Sequence, residues 1–211
     1  FSIVKYTGTG SAGTVGHGLG VAPKMIIVKC LDTAKAWTVY HSALGSSAAI
    51  FLEQNSAATT SNTAYFNGTD PTTSVFSIGS STNVTNSGDE FIAYCFSEKT
   101  GYSKFGTYTG NGNADGTFVY TGFKPKLVIV KEYDGVGNWI MKNDYYDNQN
   151  DYYLLANEHD AETSGSVVAF DLLSNGFKLR GTAGDSNGGG NSILYMAFGQ
   201  SLVGSNNVPC T

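Results

Sequence analysis

Residues 6–10 read Tyr-Thr-Gly-Thr-Gly, and residues 108–112 read Tyr-Thr-Gly-Asn-Gly. A longer match follows each copy, because residues 20–29 (GVAPKMIIVK) correspond to residues 122–131 (GFKPKLVIVK). Every matched position in the second copy lies 102 residues after its counterpart, and Trp37 and Trp139 keep that spacing without a gap. The repeat predicts that the chain is a tandem duplication.

The length of the chain agrees with a duplication into two modules. A chain of 211 residues can hold one large β domain or two modules of about 100 residues, and either can bury a core. We expect a first repeat at residues 1–101 and a second at 102–211, either separate or fused into one domain.

The pattern of apolar residues predicts an all-β fold. Short segments rich in Tyr, Val, Ile and Phe alternate with turns rich in Gly and Asn, which favours antiparallel sheets packed face to face as a β-sandwich of jelly-roll or concanavalin-like type. Residues 25–28 should form a central, buried strand. Further strands are expected at residues 2–7, 37–40, 48–53, 75–78 and 90–96 of the first repeat, and at 102–108, 117–120, 127–130, 139–141, 152–155, 167–172, 176–179 and 192–198 of the second. Residues 8–20 and 54–74 should be turns or loops, and no helix is required.

The composition is typical of extracellular and virion β proteins. Charged residues make up 14% of the chain, and Thr, Ser, Asn and Tyr stand where Lys and Glu are usual. The net charge is −5, with Arg180 as the single arginine, so no basic cluster is present to neutralise phosphates and a nucleic-acid partner is not expected. No apolar run approaches the roughly 18 residues that span a bilayer, so no membrane insertion is expected. A start at Phe1 without Met indicates a processed product or a piece of a longer polypeptide.

The two copies of the motif, taken together, resemble a repeat domain of marine phage and cyanophage virion structural proteins. The resemblance extends over nearly the whole chain, and its matching segments are residues 17–23, 26–29, 37, 39–41, 101–112, 173–179 and 195–198. Domains of this kind occur in tail-fibre and other appendage proteins, often beside concanavalin-A-like modules. The resemblance implies a role in a virion appendage or on a cell surface, and it implies no reaction.

Catalytic and metal-binding patterns are weak. No Gly-x-Ser-x-Gly segment with a base is present, so nucleophilic catalysis is not indicated. Paired carboxylates would have to come from a set that any acidic surface loop could offer: Asp144, Asp147, Asp151, Glu158, Asp160 and Glu162. His17 and His41 could form a metal pair, but the second repeat has Val119 and Asn143 there, and zinc needs three or four ligands. We therefore expect no enzyme, no cofactor and no metal, with histidines that are solvated or packed in turns.

The best candidate binding segment lies at residues 143–153, which read NDYYDNQNDYY. Aromatic rings can stack on the apolar face of a sugar, and Asp or Asn groups can bond to its hydroxyls. The candidate glycan-binding residues are Asp144, Tyr145, Tyr146, Asp147, Asn150, Asp151, Tyr152 and Tyr153. Calcium at Asp144, Asp147 and Asp151 is a weaker alternative. The competing interpretation is a hairpin whose tyrosines pack across strands and whose Asn and Asp residues form the turn.

The three cysteines do not form a framework common to both repeats. Cys30 and Cys95 correspond to Glu132 and Ala197 of the second repeat, and Cys210 lies near the end. Buried free thiols are favoured over a Cys30–Cys95 bridge.

Two functions follow as hypotheses. The first is a non-enzymatic structural module of a virion or extracellular surface appendage, which packs against copies of itself or neighbouring modules. The second is a module that binds a glycan or host receptor, as a tail fibre does.

Overall fold

The computed structural model describes residues 1–145 and 152–200, and it is an all-β structure built from antiparallel sheets, as predicted. The chain divides into two compact units, Phe1–Ser97 (unit 1) and Glu98–Thr211 (unit 2). The sequence repeat had placed the boundary a few residues later, at 101/102.

Unit 1 contains two sheets. Its elements in chain order are β1 (Ser2–Thr7), β2 (Gly13–Gly16), β3 (Met25–Cys30), β4 (Thr38–His41), β5 (Ile50–Phe51), β6 (Val75–Ile78), the helix α1 (Thr82–Thr85) and β7 (Glu90–Phe96). One sheet has the order β1-β7-β3-β4-β5, and the other pairs β2 with β6. The apolar run of β3 lies at the centre of the larger sheet, as its sequence predicts.

Residues from both sheets form the core of unit 1. Ile26 and Val28 of β3 belong to one buried cluster with Val15 of β2 and Phe76 of β6. The two sheets therefore pack face to face, because alternate side chains of each strand point to the same side.

Unit 2 contains a six-stranded and a three-stranded sheet. Its elements are β8 (Ser103–Thr109), β9 (Phe118–Tyr120), β10 (Pro125–Glu132), β11 (Trp139–Asn143), β12 (Tyr152–Leu155), β13 (Thr163–Ser164), a 3-10 turn (Ser166–Val168), β14 (Phe170–Leu173), β15 (Gly176–Leu179), the helix α2 (Gly184–Asn187) and β16 (Ser192–Gly199). The strand orders are β13-β12-β11-β10-β16-β8 and β14-β15-β9. The core again joins both sheets, since Val128 and Val130 of β10 lie in one cluster with Val119 of β9 and Phe177 of β15.

Three local predictions were wrong. Gly13–Gly16, expected as a turn, forms β2 because it pairs with β6, about sixty residues later in the chain. Two four-residue helices occur where none was expected, and Ser81 caps the start of α1, because its side chain accepts a hydrogen bond from the Asn83 amide. Such single turns are too short to show a helical period in the sequence. Residues 166–168 form a 3-10 turn, so the strand expected at 167–172 begins at Phe170.

Candidate functional site

The predicted tyrosine segment lies between β11 and β12. Four of its candidate residues, Tyr146, Asp147, Asn150 and Asp151, lie outside the described residues. The other four are Asp144 and Tyr145, which follow β11, and Tyr152 and Tyr153, which open β12.

The described residues of this segment have different environments. The Asp144 carboxylate forms an ion pair with Lys126. The Tyr145 amide donates to Asn143 Oδ1 at 3.0 Å, and Tyr145 is 83% exposed. Tyr153, by contrast, packs against the core of unit 2. The side chain of Tyr145 is thus largely exposed to solvent, whereas that of Tyr153 packs inward.

Both histidines that were considered as a metal pair are buried and bond to turns: His17 lies between strands, and His41 ends β4. His17 Nδ1 accepts the Leu19 amide at 3.2 Å, so Nε2 carries the hydrogen that it donates to Thr72 O at 3.1 Å. His41 Nδ1 accepts the Ala43 amide at 3.2 Å. The turn-packing alternative is the one observed. Among residues 1–145 and 152–200, no group of three or more His, Cys, Asp or Glu side chains is placed to hold a metal ion.

The strand register keeps two of the cysteines apart. Cys30 of β3 lies opposite Phe91, and Cys95 of β7 lies opposite Ile26, four positions further along the strands. Both are free, buried thiols, and burial raises the pKa of Cys95 to about 11. The prediction of free thiols is confirmed for Cys30 and Cys95; Cys210 lies outside the described residues.

The repeated Tyr-Thr-Gly-x-Gly motif contacts a one-turn helix. In unit 2, the Tyr108 hydroxyl donates to Ser186 O at 2.7 Å, and the Gly112 amide donates to Asn187 O at 2.7 Å. The Asn187 side chain is fully buried and donates to Asn113 O at 2.9 Å and to Gly181 O at 2.8 Å. We call this set of bonds the turn–helix contact.

Unit 1 repeats the tyrosine and glycine bonds of this contact, with Thr85 at the position of Asn187. The Tyr6 hydroxyl donates to Val84 O at 2.7 Å, and the Gly10 amide donates to Thr85 O at 2.7 Å. The repeated Tyr-Thr-Gly-x-Gly motif therefore forms hydrogen bonds within each unit, and its role there is to stabilise the fold.

Two neighbouring titratable groups with perturbed pKa values lie at the end of β10 in unit 2. Lys131 is fully buried, and burial lowers its pKa to about 8, against the opposing effect of the nearby carboxylates. The pKa of Glu132 is raised, first by burial and then by Asp134 and Asp185. Lys131 Nζ donates to Glu132 O at 2.6 Å. Groups with perturbed pKa values can mark a functional site, but here the buried Lys131 side chain bonds to the backbone of its own strand.

Two cavities lined by described residues were not found by sequence reasoning, one in each unit. In unit 1, a cavity of about 350 Å³ lies between β1 and β2. In unit 2, a cavity of about 380 Å³ is lined by residues at the start of β8 and the end of β9, including Lys104 and Tyr120. The only sequence signal for the second was the aromatic alternation of Phe118, Val119 and Tyr120, which was interpreted as a strand alone.

Comparison with known proteins gives a family and no described function. Within the described residues, no helix has the length and apolar character needed to span a membrane. Neither the curated proteins nor the solved structures contain a match to the chain. A family model described as a domain of unknown function, DUF7483, matches residues 1–201. Because this match spans nearly the whole sequence, the chain belongs to the DUF7483 family.

Proposed function

We propose that this protein is a non-enzymatic structural module of a virion appendage or extracellular surface assembly, which acts by packing against copies of itself or neighbouring modules. The observation that carries the proposal is the open side of unit 1. There β1 pairs only with β7, and β2 pairs only with β6, among the described strands. The cavity of about 350 Å³ is lined by both of these edge strands.

Open strand edges favour association. An edge strand carries backbone groups that can pair with a strand of another chain, and charged side chains usually protect it. On β1, the outward-facing Ile3 is 56% exposed, and the one charged residue, Lys5, is engaged by Glu90 at 2.6 Å. Low charge density over the whole chain acts in the same direction.

Matched geometry supports a duplication of one β-sandwich module of jelly-roll or concanavalin-like type. The order β1-β7-β3-β4-β5 of unit 1 corresponds to β8-β16-β10-β11-β12 of unit 2. The Asp32 side chain accepts a hydrogen bond from the Glu90 amide, and the Asp134 side chain accepts one from the Ser192 amide. Asp134 and Ser192 each lie 102 residues after their counterparts in unit 1. Modules repeated in tandem are usual in extended assemblies. The virion location itself rests on the resemblance of the motifs to phage appendage proteins.

The test is the absolute mass of the purified chain by light scattering over a concentration series, with and without reductant. We expect a mass above that of the monomer, rising with concentration, and we expect Ile3→Lys to lower it by placing a charge on the β1 edge. The matched control is Val136→Lys, since Val136 is 72% exposed but lies outside every strand. A monomer at all concentrations, or equal effects of both variants, would reject self-assembly through this edge.

A second candidate function is binding of a glycan or host receptor. Tyr145 favours it, because a large aromatic ring that is 83% exposed beside the Asp144 carboxylate fits sugar recognition. Tyr145→Ala should reduce binding to cells or glycans without changing the thermal unfolding temperature. Loss of solubility or of assembly instead would favour the first function.

A further inference from the structure

We propose that the cavity at the β8–β9 edge of unit 2 is a binding site for a neutral saccharide ring, with Tyr120 as the stacking platform. This inference rests on the second proposed function, and it assigns that function to a surface other than the tyrosine segment. The two surfaces are distinct, because β8 at the cavity and β12 at the tyrosine segment are separated by β16, β10 and β11 in the six-stranded sheet.

Exposed aromatic rings on β9 are the first observation. Val119 points into the core, so Phe118 and Tyr120 share the opposite face of the strand. Phe118 is 44% exposed and Tyr120 is 59% exposed. Of the two, Tyr120 lines the cavity, so an exposed aromatic ring is available there for contact with a ligand.

The backbone of Tyr120 is held in place before any ligand arrives, and its ring is contacted by Lys104. Lys104 Nζ lies 5.2 Å from the ring centroid and donates to Tyr120 O at 3.1 Å. The following turn is also fixed, because the amides of Thr121 and Gly122 both donate to Asn175 O, at 2.9 and 3.1 Å. A preorganised ring loses little entropy when a ligand binds.

Polar groups line the same cavity as Tyr120. Its lining includes Glu98, Thr100 and Ser103 together with Lys104. One oxygen of the Glu98 carboxylate accepts the Phe105 amide at 3.1 Å, and a carboxylate has further lone pairs that can accept from a hydroxyl. Hydroxyl donors and acceptors therefore line one cavity together with an aromatic ring.

Charge and size select the class of ligand. The lining carries one carboxylate and one ammonium group, so it offers no net charge to a phosphate or a polyanion. The volume of about 380 Å³ lies at the lower end of the range for small-molecule sites and suits a sugar ring or a disaccharide. An aromatic face combined with hydroxyl-bonding groups matches the apolar face and polar rim of a neutral sugar.

Unit 1 does not repeat this site. At the spacing of 102 residues, Lys104 corresponds to Ser2, and Tyr120 corresponds to Gly18. The scaffold bonds are present in both units, whereas the ring and the amine are present only in unit 2. Such a difference is expected when one copy of a scaffold gains a binding site.

The test uses the full 211-residue chain. Saturation-transfer NMR with the methyl glycosides of glucose, galactose and mannose would identify a bound sugar, and a printed array of neutral and sialylated oligosaccharides would extend the search. Titration of the best ligand should then show at least a tenfold loss of affinity in Tyr120→Ala and little loss in Tyr120→Phe, which keeps the ring. Glu98→Gln should weaken binding about three- to tenfold. Circular dichroism and thermal unfolding of each variant check the fold.

Tyr145→Ala is the matched control. If Tyr145→Ala abolishes binding and Tyr120→Ala does not, glycan binding stands and this site is rejected. If only sialylated glycans bind, and Lys104→Met abolishes that binding, the site exists for an acidic ligand and the neutral class is wrong. If the wild-type chain binds no glycan at all, both this inference and the second proposed function fail, while the self-assembly test remains independent.

Discussion

At the residue scale, Lys131 shows how far burial changes a side chain. It lies in β10 opposite Trp139 and is fully buried, whereas the corresponding Lys29 of unit 1 is only partly buried. Burial disfavours the charged form and lowers the pKa of Lys131 from 10.5 to about 8. At a pH between these two values, Lys131 is therefore mostly neutral in the folded state and mostly protonated in the unfolded state.

A pH dependence follows from Lys131. Between the folded pKa of about 8 and the unfolded value of 10.5, the unfolded state binds more protons, so this residue makes the free energy of unfolding rise with pH. We expect the free energy of unfolding of the wild type to rise relative to that of Lys131→Met by about 1–2 kcal/mol from pH 7.5 to 9.5. Urea unfolding at several pH values measures it.

The comparison with Lys131→Met cancels the contribution of other groups that titrate in the same pH range. Cys95, whose pKa burial raises to about 11, opposes the trend in both proteins and cancels in the difference. The range stops below pH 10 because burial also raises the pKa of Tyr108. The control is Lys124→Met, which removes a lysine at an exposed position; an equal slope for both variants would show that burial of Lys131 is not the cause. A flat difference for Lys131→Met would contradict the lowered pKa.

At the element scale, the turn–helix contact explains why the motif contains glycine. A Cβ at Gly8 would lie 2.2 Å from Asn86 O, and one at Gly110 would lie 2.3 Å from Gly188 O. Both obstacles are backbone atoms, which cannot rotate away. The motif therefore encodes the close approach of a turn to the residues that follow or end a short helix.

Gly8→Ala should destabilise the protein by about 2–4 kcal/mol, because the turn must move away from α1 and lose its hydrogen bonds. Gly13→Ala is the control in the same unit, since a Cβ there meets nothing within 4 Å, and its effect should stay within about 1 kcal/mol. Denaturant unfolding of the two variants provides the comparison. Equal destabilisation would show that the close approach is not what requires glycine.

At the scale of the whole molecule, the division into Phe1–Ser97 and Glu98–Thr211 predicts how a protease cuts the chain. Lys99 is exposed and lies just after the boundary between the two compact units. Limited trypsin digestion should cut first at Lys99 and leave two resistant fragments, because the lysines and Arg180 elsewhere lie mostly in paired strands. Mass spectrometry over a digestion time course identifies the first cut. Early cleavage inside β3 or β10 would contradict the division.

The element pattern shows which parts of the fold could be predicted. Five strands, at residues 2–7, 75–78, 90–96, 152–155 and 176–179, have the bounds that the sequence predicted. They combine apolar alternation with clear turn residues at their ends, and both signals are local. β2 lacked such a signal because two of its four residues are glycine.

The sequence by itself determined the all-β class, the central position of β3 and the repeat spacing of 102 residues, because alternation, β-branched runs and repeated motifs depend only on neighbouring residues or on direct comparison of segments. Only the tertiary structure decided that the glycine motif contacts a helix, that Tyr153 packs inward while Tyr120 faces a cavity, and that Lys131 is buried. Those outcomes depend on which distant segments meet. A tyrosine or lysine in a strand has the same local pattern whether its outer face meets solvent or another part of the chain.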